Sequence, residues 1–304
     1  MTRWQSNALL LLVAVIWGSA FVAQNLAMQH MGPMGFTGVR FLLGAVVVAP
    51  LAWREWHYLR ARGLRHTRED AAHVVGLGLL LTLGAGFQQL GVMGTSVTNA
   101  GFLTALYVPL VPLLAWLRTG VAPRAWLWAA ALGCVIGTWL LAGGGRFVAF
   151  SHGDLWIIAS VLPWALHVLF VGEVAHRMAA PFMVACWQFV VCGVASLAWA
   201  VFSEPLAWAA IVAAAPAIAF TGVLSVGVGY TAQVVAQRHS PPADSAILLS
   251  SETLFAALAG ALILGDRLTP VGWTGAALIF ACMLATQLLP LWQGAAAPDR
   301  AARA

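Results

Sequence analysis

Ionisable side chains are rare in the apolar stretches of this sequence, and three of them are the first candidates for chemistry. Arg40, His167 and Glu252 each stand among apolar neighbours. A charge in such surroundings is costly unless it faces a cavity or a partner, so these residues are typical of binding sites and proton pathways. Glu252 could exchange a proton or hold an ammonium group, and His167 could relay protons or bind a carboxylate.

Each of these residues also has a structural interpretation. Glu252 could pair with a hydroxyl group of a neighbouring helix, and His167 could be a hydrogen-bonded packing residue. Arg40 could extend towards the nearer end of its helix or reach inwards to a ligand. The sequence leaves these alternatives open.

Aromatic and amide side chains accompany the ionisable ones. Trp17, Tyr107 and Trp164 could stack on an apolar ligand or hold an ammonium group by cation–π attraction, or they could pack between helices. Three amides lie nearer the ends of their apolar stretches and suit a gate, a vestibule or interhelical hydrogen bonds: Gln24, Gln89 and Asn99.

Motifs of other protein classes are absent from the sequence. It has no His-Glu-x-x-His, no Gly-x-Ser-x-Gly and no phosphate-binding loop, so neither an enzyme nor an ATP-driven pump is indicated. Its four cysteines lack the spacing of metal or redox sites. We therefore expect no cofactor and no metal.

The elements that must position the candidate residues are membrane helices. Hydrophobic residues make up 62% and charged residues 8% of the 304, which excludes an ordinary water-soluble surface. Crossing about 30 Å of hydrocarbon takes roughly 20 apolar residues at about 1.5 Å each. The sequence predicts an all-α membrane protein with ten transmembrane helices, over 7–24, 34–53, 71–92, 97–117, 125–143, 153–175, 181–202, 209–230, 244–265 and 271–291.

The arginines predict the orientation of these spans. Twelve of the 15 fall on one side of the arrangement, only Arg146 and Arg267 lie on the other, and Arg40 lies within a span. Because cytoplasmic loops are enriched in basic residues, both termini are expected in the cytoplasm of a bacterial inner membrane. The net charge of +5 follows this topology, so no nucleic-acid partner is expected.

The two halves of the chain look like weak copies of each other. Trp17 in span 1 matches Trp164 in span 6, and Tyr107 in span 4 falls near Glu252 in span 9. Because each half has an odd number of spans, the second half must insert in the opposite orientation. The sequence predicts a five-helix repeat over 1–145, an inverted five-helix repeat over 146–292 and a disordered cytoplasmic tail over 293–304.

The candidate residues converge on the middle of the membrane. At about 1.5 Å per residue, Glu252 lies roughly 18 Å and His167 roughly 20 Å from the outer face, and Trp17, Tyr107 and Trp164 lie roughly 15 Å from one face. Spans 1, 4, 6 and 9 are therefore expected to line one chamber.

Arg40 lies nearer the outer face than these residues. Arg40 lies only about 9 Å below the outer face, and along the membrane normal it is separated from Glu252 by roughly another 9 Å. A direct ion pair between the two is not expected without helix tilt.

Short motifs along the chain resemble those of a known family. They are Trp17-Gly18-Ser19-Ala20-Phe21 in span 1, Arg40-Phe41 in span 2 and Gly265-Asp266-Arg267-Leu268-Thr269-Pro270 between spans 9 and 10. In this order, over about residues 7–289, they resemble the EamA family of the drug/metabolite transporter superfamily. Members are associated with export or exchange of amino acids, their analogues and other metabolites. Thr253 stands where the family often has proline, which predicts a straighter span 9.

Two inverted repeats around a polar midplane cavity favour alternating access. The resemblance and the repeat together predict a secondary-active transporter, an exporter or exchanger of small organic metabolites such as amino acids. A passive channel or facilitator is the alternative. The expected partners are the substrate and membrane lipids, with protons as a candidate coupling ion, and both a monomer and a homodimer remain open.

Overall fold

A computed structural model describes residues 1–95, 97–143, 151–259, 262 and 269–295. Within these ranges the regular elements are all helices, with no strand among them, which confirms the predicted all-α class. The side chains of residues 97–99, 142–143, 287 and 290–295 lie outside the description.

The helices follow one another as α1 Arg3–Ala27, α2 Pro33–Ala61, α3 Arg68–Val92, α4 Val97–Thr104, α5 Tyr107–Thr119, α6 Ala125–Gly143, α7 His152–Met178, α8 Pro181–Ser203, α9 Trp208–Ala213, α10 Ala215–Ala219, the π-helix Phe220–Tyr230, α11 Thr231–Gln237, α12 Pro242–Leu249, α13 Glu252–Ala259 and α14 Pro270–Ala295.

Seven helical runs in the described ranges are long and apolar enough to cross a membrane, and they correspond to predicted spans 1–4 and 6–8. Two shorter apolar helices, Ala125–Leu141 and Pro270–Thr286, correspond to spans 5 and 10. Part of span 9, at 260–261 and 263–265, lies outside the described residues. Helix α14 continues to Ala295, so the predicted tail 293–304 begins within a helix, and its remainder lies outside the description.

Local sequence signals account for several helix starts. Helices α1, α3 and α7 begin with capping boxes, in which a threonine or serine and the residue three positions later exchange hydrogen bonds. Helices α2 and α8 begin with Pro33 and Pro181. Proline costs nothing at this position because the first N–H groups of a helix have no partner within it.

Helices α2 and α8 form an extensive pair and cap each other at opposite ends. At the start of α2, the Glu204 carboxylate accepts hydrogen bonds from the backbone N–H groups of Met34 and Gly35, both at 2.8 Å. At the start of α8, the Glu55 carboxylate accepts the N–H of Met183 at 2.8 Å. Each acid therefore satisfies unpaired N–H groups and neutralises the positive dipole end of the opposite helix.

Two predicted spans are interrupted near their middle. The chain turns between α4 and α5 at 105–106, and between α12 and α13 at 250–251. At the second break the hydroxyls of Ser250, Ser251 and Thr253 donate to carbonyls three residues earlier, at 2.7, 2.6 and 2.9 Å. Such bonds bend helices. Span 9 is therefore interrupted at hydroxyl-bearing residues, with threonine and not proline at position 253.

Ion pairs join several helix ends. Arg3 at the start of α1 contacts Asp244 in the first turn of α12 at 3.0 Å. Arg177 near the end of α7 contacts Glu69 and Asp70 at the start of α3, both at 2.9 Å. These are helix ends that the arginine distribution assigns to the cytoplasmic side.

Candidate functional site

A cavity of about 520 Å³, counted with its open mouth, lies inside the helix bundle. Its lining comes from both halves of the chain and consists of Trp17, Phe21, Gln24, Arg40, Gln88, Thr104, Tyr107, Trp164, Val168, Ser225, Tyr230, Gln233 and Glu252. Six of the nine residues singled out from the sequence are brought together here: Trp17, Gln24, Arg40, Tyr107, Trp164 and Glu252. The lining also includes residues of predicted spans 2, 3 and 8, beyond the four spans expected.

Arg40 and Glu252 carry the only charged side chains among the described lining residues. They are almost fully enclosed, at 4% and 8% exposure. The Arg40 guanidinium lies over the rings of Phe36 and Phe41, 5.0 and 5.4 Å from their centroids. Its Nε has no hydrogen-bond partner among the described residues. The described ion pairs involve other residues, so neither side chain has an ion-pair partner in this part of the chain.

The placement of Glu252 depends on a close crossing of α1 and α13. A Cβ atom on Gly18 would lie 2.5 Å from the Glu252 carbonyl oxygen and 2.7 Å from the Ala256 nitrogen. A side chain would force the two helices apart, so glycine is required for this crossing. The crossing holds Trp17 and Glu252 at the same cavity, and Glu252 is the first residue of its helix, where the dipole favours a negative charge.

Tyr230, at the end of the π-helix, is the centre of an aromatic cluster beside the cavity. Its ring centroid lies 4.5 Å from that of Trp17, 5.6 Å from that of Phe41 and 6.1 Å from that of Trp164, on which it stacks within 10°. Trp17 Nε1 donates to the Ser225 carbonyl oxygen at 3.1 Å, which ties α1 to the π-helix. Single π-helical segments are frequent at functional sites.

Tyr230 was not among the site residues expected from the sequence. A signal for it was available, because Gly229-Tyr230 matches Gly86-Phe87 in the other half of the chain. The match assigns Tyr230 a position in the repeat but does not give the orientation of its ring. Only the packing of α1, α2 and α7 determines that orientation.

Amide and hydroxyl groups complete the lining. Gln88 Nε2 donates to Thr104 Oγ1 at 3.0 Å, and that hydroxyl donates to the Ala100 carbonyl at 2.7 Å. Gln233 Oε1 has no partner among the described residues. No group of three or more His, Cys, Asp or Glu within the described ranges could hold a metal ion. The lining thus offers hydrogen bonds, ring faces and two opposite charges.

Three predicted site residues are not found on the lining. Gln89 is fully enclosed, whereas its neighbour Gln88 lines the cavity. Successive helical residues point about 100° apart, and the sequence did not determine which of the two glutamines faces inwards. The side chain of Asn99 lies outside the described residues.

His167 is the third, and it is fully enclosed behind the aromatic cluster. Its Nε2 lies 2.9 Å from Gln188 Oε1. Its ring stands edge-on to Trp164 and Tyr230, with centroids 6.3 and 6.4 Å away. Its Nδ1 has no hydrogen-bond partner among the described residues. Both alternatives from the sequence, a packing residue and a residue that relays protons or binds a carboxylate, therefore stand.

The sequence matches the model of the EamA-like transporter family twice, over residues 4–143 and 151–286. An uncharacterized transporter of Archaeoglobus fulgidus is 28% identical over 92% of this chain and 84% of its own length. The threonine/homoserine exporter RhtA of Escherichia coli K12 is 26% identical over 92% of this chain and 90% of its own length. A solved crystal structure shares the fold with a TM-score of 0.72 at 20% identity, covering 93% of this chain and 96% of that one.

Proposed function

The chain belongs to the EamA-like transporter family, and on that premise we propose that it is a secondary-active carrier that exports or exchanges small organic metabolites such as amino acids or their analogues. Its relatives are transporters, so it is a multi-pass membrane transporter and not an enzyme. The observation that carries the proposal is a cavity inside the helix bundle that is lined by the buried side chains of Arg40 and Glu252.

This cavity has the properties that a carrier requires. It lies among interrupted helices, and Glu252 directly follows the break between α12 and α13. Transporters often build their sites at such breaks, near the bilayer midplane. Buried charges without partners are expensive to maintain, and they are retained where a ligand or an ion pairs with them.

The proposal includes ten spans arranged as two inverted repeats, and three observations support it. The family model matches each half separately. Tyr107 and Glu252, which fall near each other in the comparison of the halves, each begin a helix directly after a break. Helix α3 packs on α7, and α1 packs on the π-helix and α11. In the proposed repeat, span 3 corresponds to span 8 and span 6 corresponds to span 1. The contact of α3 with α7 therefore corresponds to the contact of the π-helix and α11 with α1.

We propose that Glu252 is the residue whose protonation changes as the cavity opens to either side. An enclosed carboxylate at a helix start can hold a negative charge or a proton, depending on what else occupies the cavity. The proposed location is the bacterial inner membrane with both termini in the cytoplasm, supported by the arginine distribution. Amino acids are proposed as substrates because one relative is a threonine/homoserine exporter.

Counterflow in proteoliposomes tests the proposed function. We expect saturable exchange of one or more labelled neutral amino acids across vesicles preloaded with the same compound. Glu252→Gln should abolish the dependence of flux on a proton gradient. Glu173→Gln, which removes an exposed acid that pairs with Arg118 at the surface, is the matched control and should leave that dependence intact.

Other outcomes of these assays contradict the proposal. Flux that never saturates indicates a channel. An absence of flux for every amino acid and related metabolite removes the proposed substrate class. An unchanged pH profile in Glu252→Gln removes the coupling role of Glu252 while leaving the carrier intact.

A further inference from the structure

We propose that Arg40 and Glu252 form a two-point site for zwitterionic α-amino acids with neutral side chains. In this site the Arg40 guanidinium binds the substrate carboxylate and the Glu252 carboxylate binds the substrate ammonium. The inference rests on the proposed carrier function and specifies what the cavity recognises.

The charge balance of the cavity favours a zwitterion. Arg40 and Glu252 are both more than nine-tenths enclosed, and neither has an ion-pair partner in the described part of the chain. The Arg40 Nε also lacks a hydrogen-bond partner there. An enclosed ionised group without a partner is strongly unfavourable. A ligand with one charge can pair with only one of the two residues, whereas a ligand with both charges can pair with both at once.

The two residues are not paired with each other. They line the same cavity but form no ion pair in the described part of the chain. A ligand inside the cavity can therefore contact both of them.

The protein holds the Arg40 guanidinium and the backbone of Glu252. The rings of Phe36 and Phe41 contact the Arg40 guanidinium, which limits its rotation. The crossing at Gly18 packs against the backbone of Glu252, the first residue of α13. Preorganised charges discriminate between ligands better than mobile ones, because little conformational freedom is lost on binding.

The rest of the lining determines the side-chain class. Apart from Arg40 and Glu252, the described lining residues are aromatic, aliphatic, hydroxyl-bearing or amide-bearing. A third charge, on the substrate side chain, would have no counter-charge there. Neutral side chains are therefore preferred over acidic or basic ones, and the aromatic cluster around Tyr230 provides their apolar contact surface.

The test measures how single-charge analogues compete with labelled threonine for counterflow. Threonine methyl ester keeps the ammonium and lacks the carboxylate, whereas N-acetylthreonine keeps the carboxylate and lacks the ammonium. With the unmodified protein, we expect each analogue to compete at least about tenfold more weakly than threonine, which corresponds to about 1.4 kcal/mol of binding free energy.

Each charge-deleting variant should lose one preference only. In Arg40→Gln the preference for threonine over its methyl ester should fall to near one, while the preference over N-acetylthreonine remains. In Glu252→Gln the preference for threonine over N-acetylthreonine should fall to near one, while the preference over the methyl ester remains. Arg54→Gln is the matched control for the first variant, because Arg54 is an exposed arginine on the same helix. Glu173→Gln is the matched control for Glu252→Gln. Both control variants should keep both preferences.

The outcomes separate this inference from the proposed function. Saturable threonine counterflow with unchanged preferences in both variants overturns the two-point site and leaves the carrier function standing. If both variants lose both preferences equally, Arg40 and Glu252 have no separate roles and the inference is also wrong. Where a variant transports too slowly for counterflow, the affinities of the same three compounds are measured in detergent from the change in its tryptophan fluorescence. Equal relative affinities in variant and unmodified protein would contradict the proposal.

Discussion

At the scale of single residues, the geometry of the cavity depends on a few close contacts that hold larger groups in place. Trp17 reaches the Ser225 carbonyl through a hydrogen bond of 3.1 Å and contacts the Tyr230 ring. A Cβ atom on Gly229 would lie 2.8 Å from Trp17 Nε1, so this glycine leaves room for the indole. The aromatic wall therefore depends on small residues as much as on large ones.

Gly18 is the residue at which this dependence is most direct. We expect Gly18→Ala to lower stability by about 1–3 kcal/mol, because the added methyl group overpacks the crossing of α1 and α13. Transport should fall as well, since the crossing positions Glu252. Gly76→Ala on α3 is the control, because a Cβ atom there has no neighbour within 4 Å. Thermal unfolding in detergent and counterflow measure both effects, and equal behaviour of the two variants would contradict the role assigned to Gly18.

At the scale of helices, α2 and α8 hold each other through acids at opposite ends. Glu204 and Glu55 each bond backbone N–H groups at the start of the opposite helix. Both capped helices begin with a proline, Pro33 in α2 and Pro181 in α8. This pair therefore forms a fixed support for Arg40, which lies on α2.

Neutralising either cap should destabilise the protein. We expect Glu204→Gln and Glu55→Gln each to cost about 0.5–2 kcal/mol, because a charged acceptor at a helix start is lost. The effects should be nearly additive, since the two sites are far apart. Glu173→Gln provides the comparison, because its exposed ion pair contributes little. Thermal unfolding tests this, and the cap assignment fails if all three single variants behave alike.

The interruptions of helices are a second property at this scale. Around the break before α13, three hydroxyl groups donate to carbonyl oxygens three residues earlier in the chain. Hydroxyl residues in a helix do not always break it, so the sequence did not reveal this break. The break matters because it makes Glu252 the first residue of a helix at the cavity.

At the scale of the whole molecule, the proposed topology predicts which loops face the cytoplasm. Leu64 lies between α2 and α3 and is 54% exposed, and Leu206 lies between α8 and α9 and is 41% exposed. In intact cells, a membrane-impermeant maleimide should label Leu206→Cys and should not label Leu64→Cys. After lysis, both should react.

The native cysteines allow a clean background for this measurement. Cys134, Cys192 and Cys282 are buried and Cys186 is only partly exposed, so the unmodified chain should react weakly. Labelling of Leu64→Cys in intact cells would contradict the orientation that the arginine distribution predicts.

The sequence by itself determined the membrane class, the approximate helix positions and the family. These follow from the length of apolar runs, the distribution of charge and the rise per helical residue, all of which are properties of the linear chain. The tertiary structure alone decided that Gln88 rather than Gln89 lines the cavity, and that Tyr230 stands there while His167 lies behind it. Rotation and tilt of a helix are set by packing against helices distant in sequence, such as the crossing at Gly18, and no local pattern encodes them.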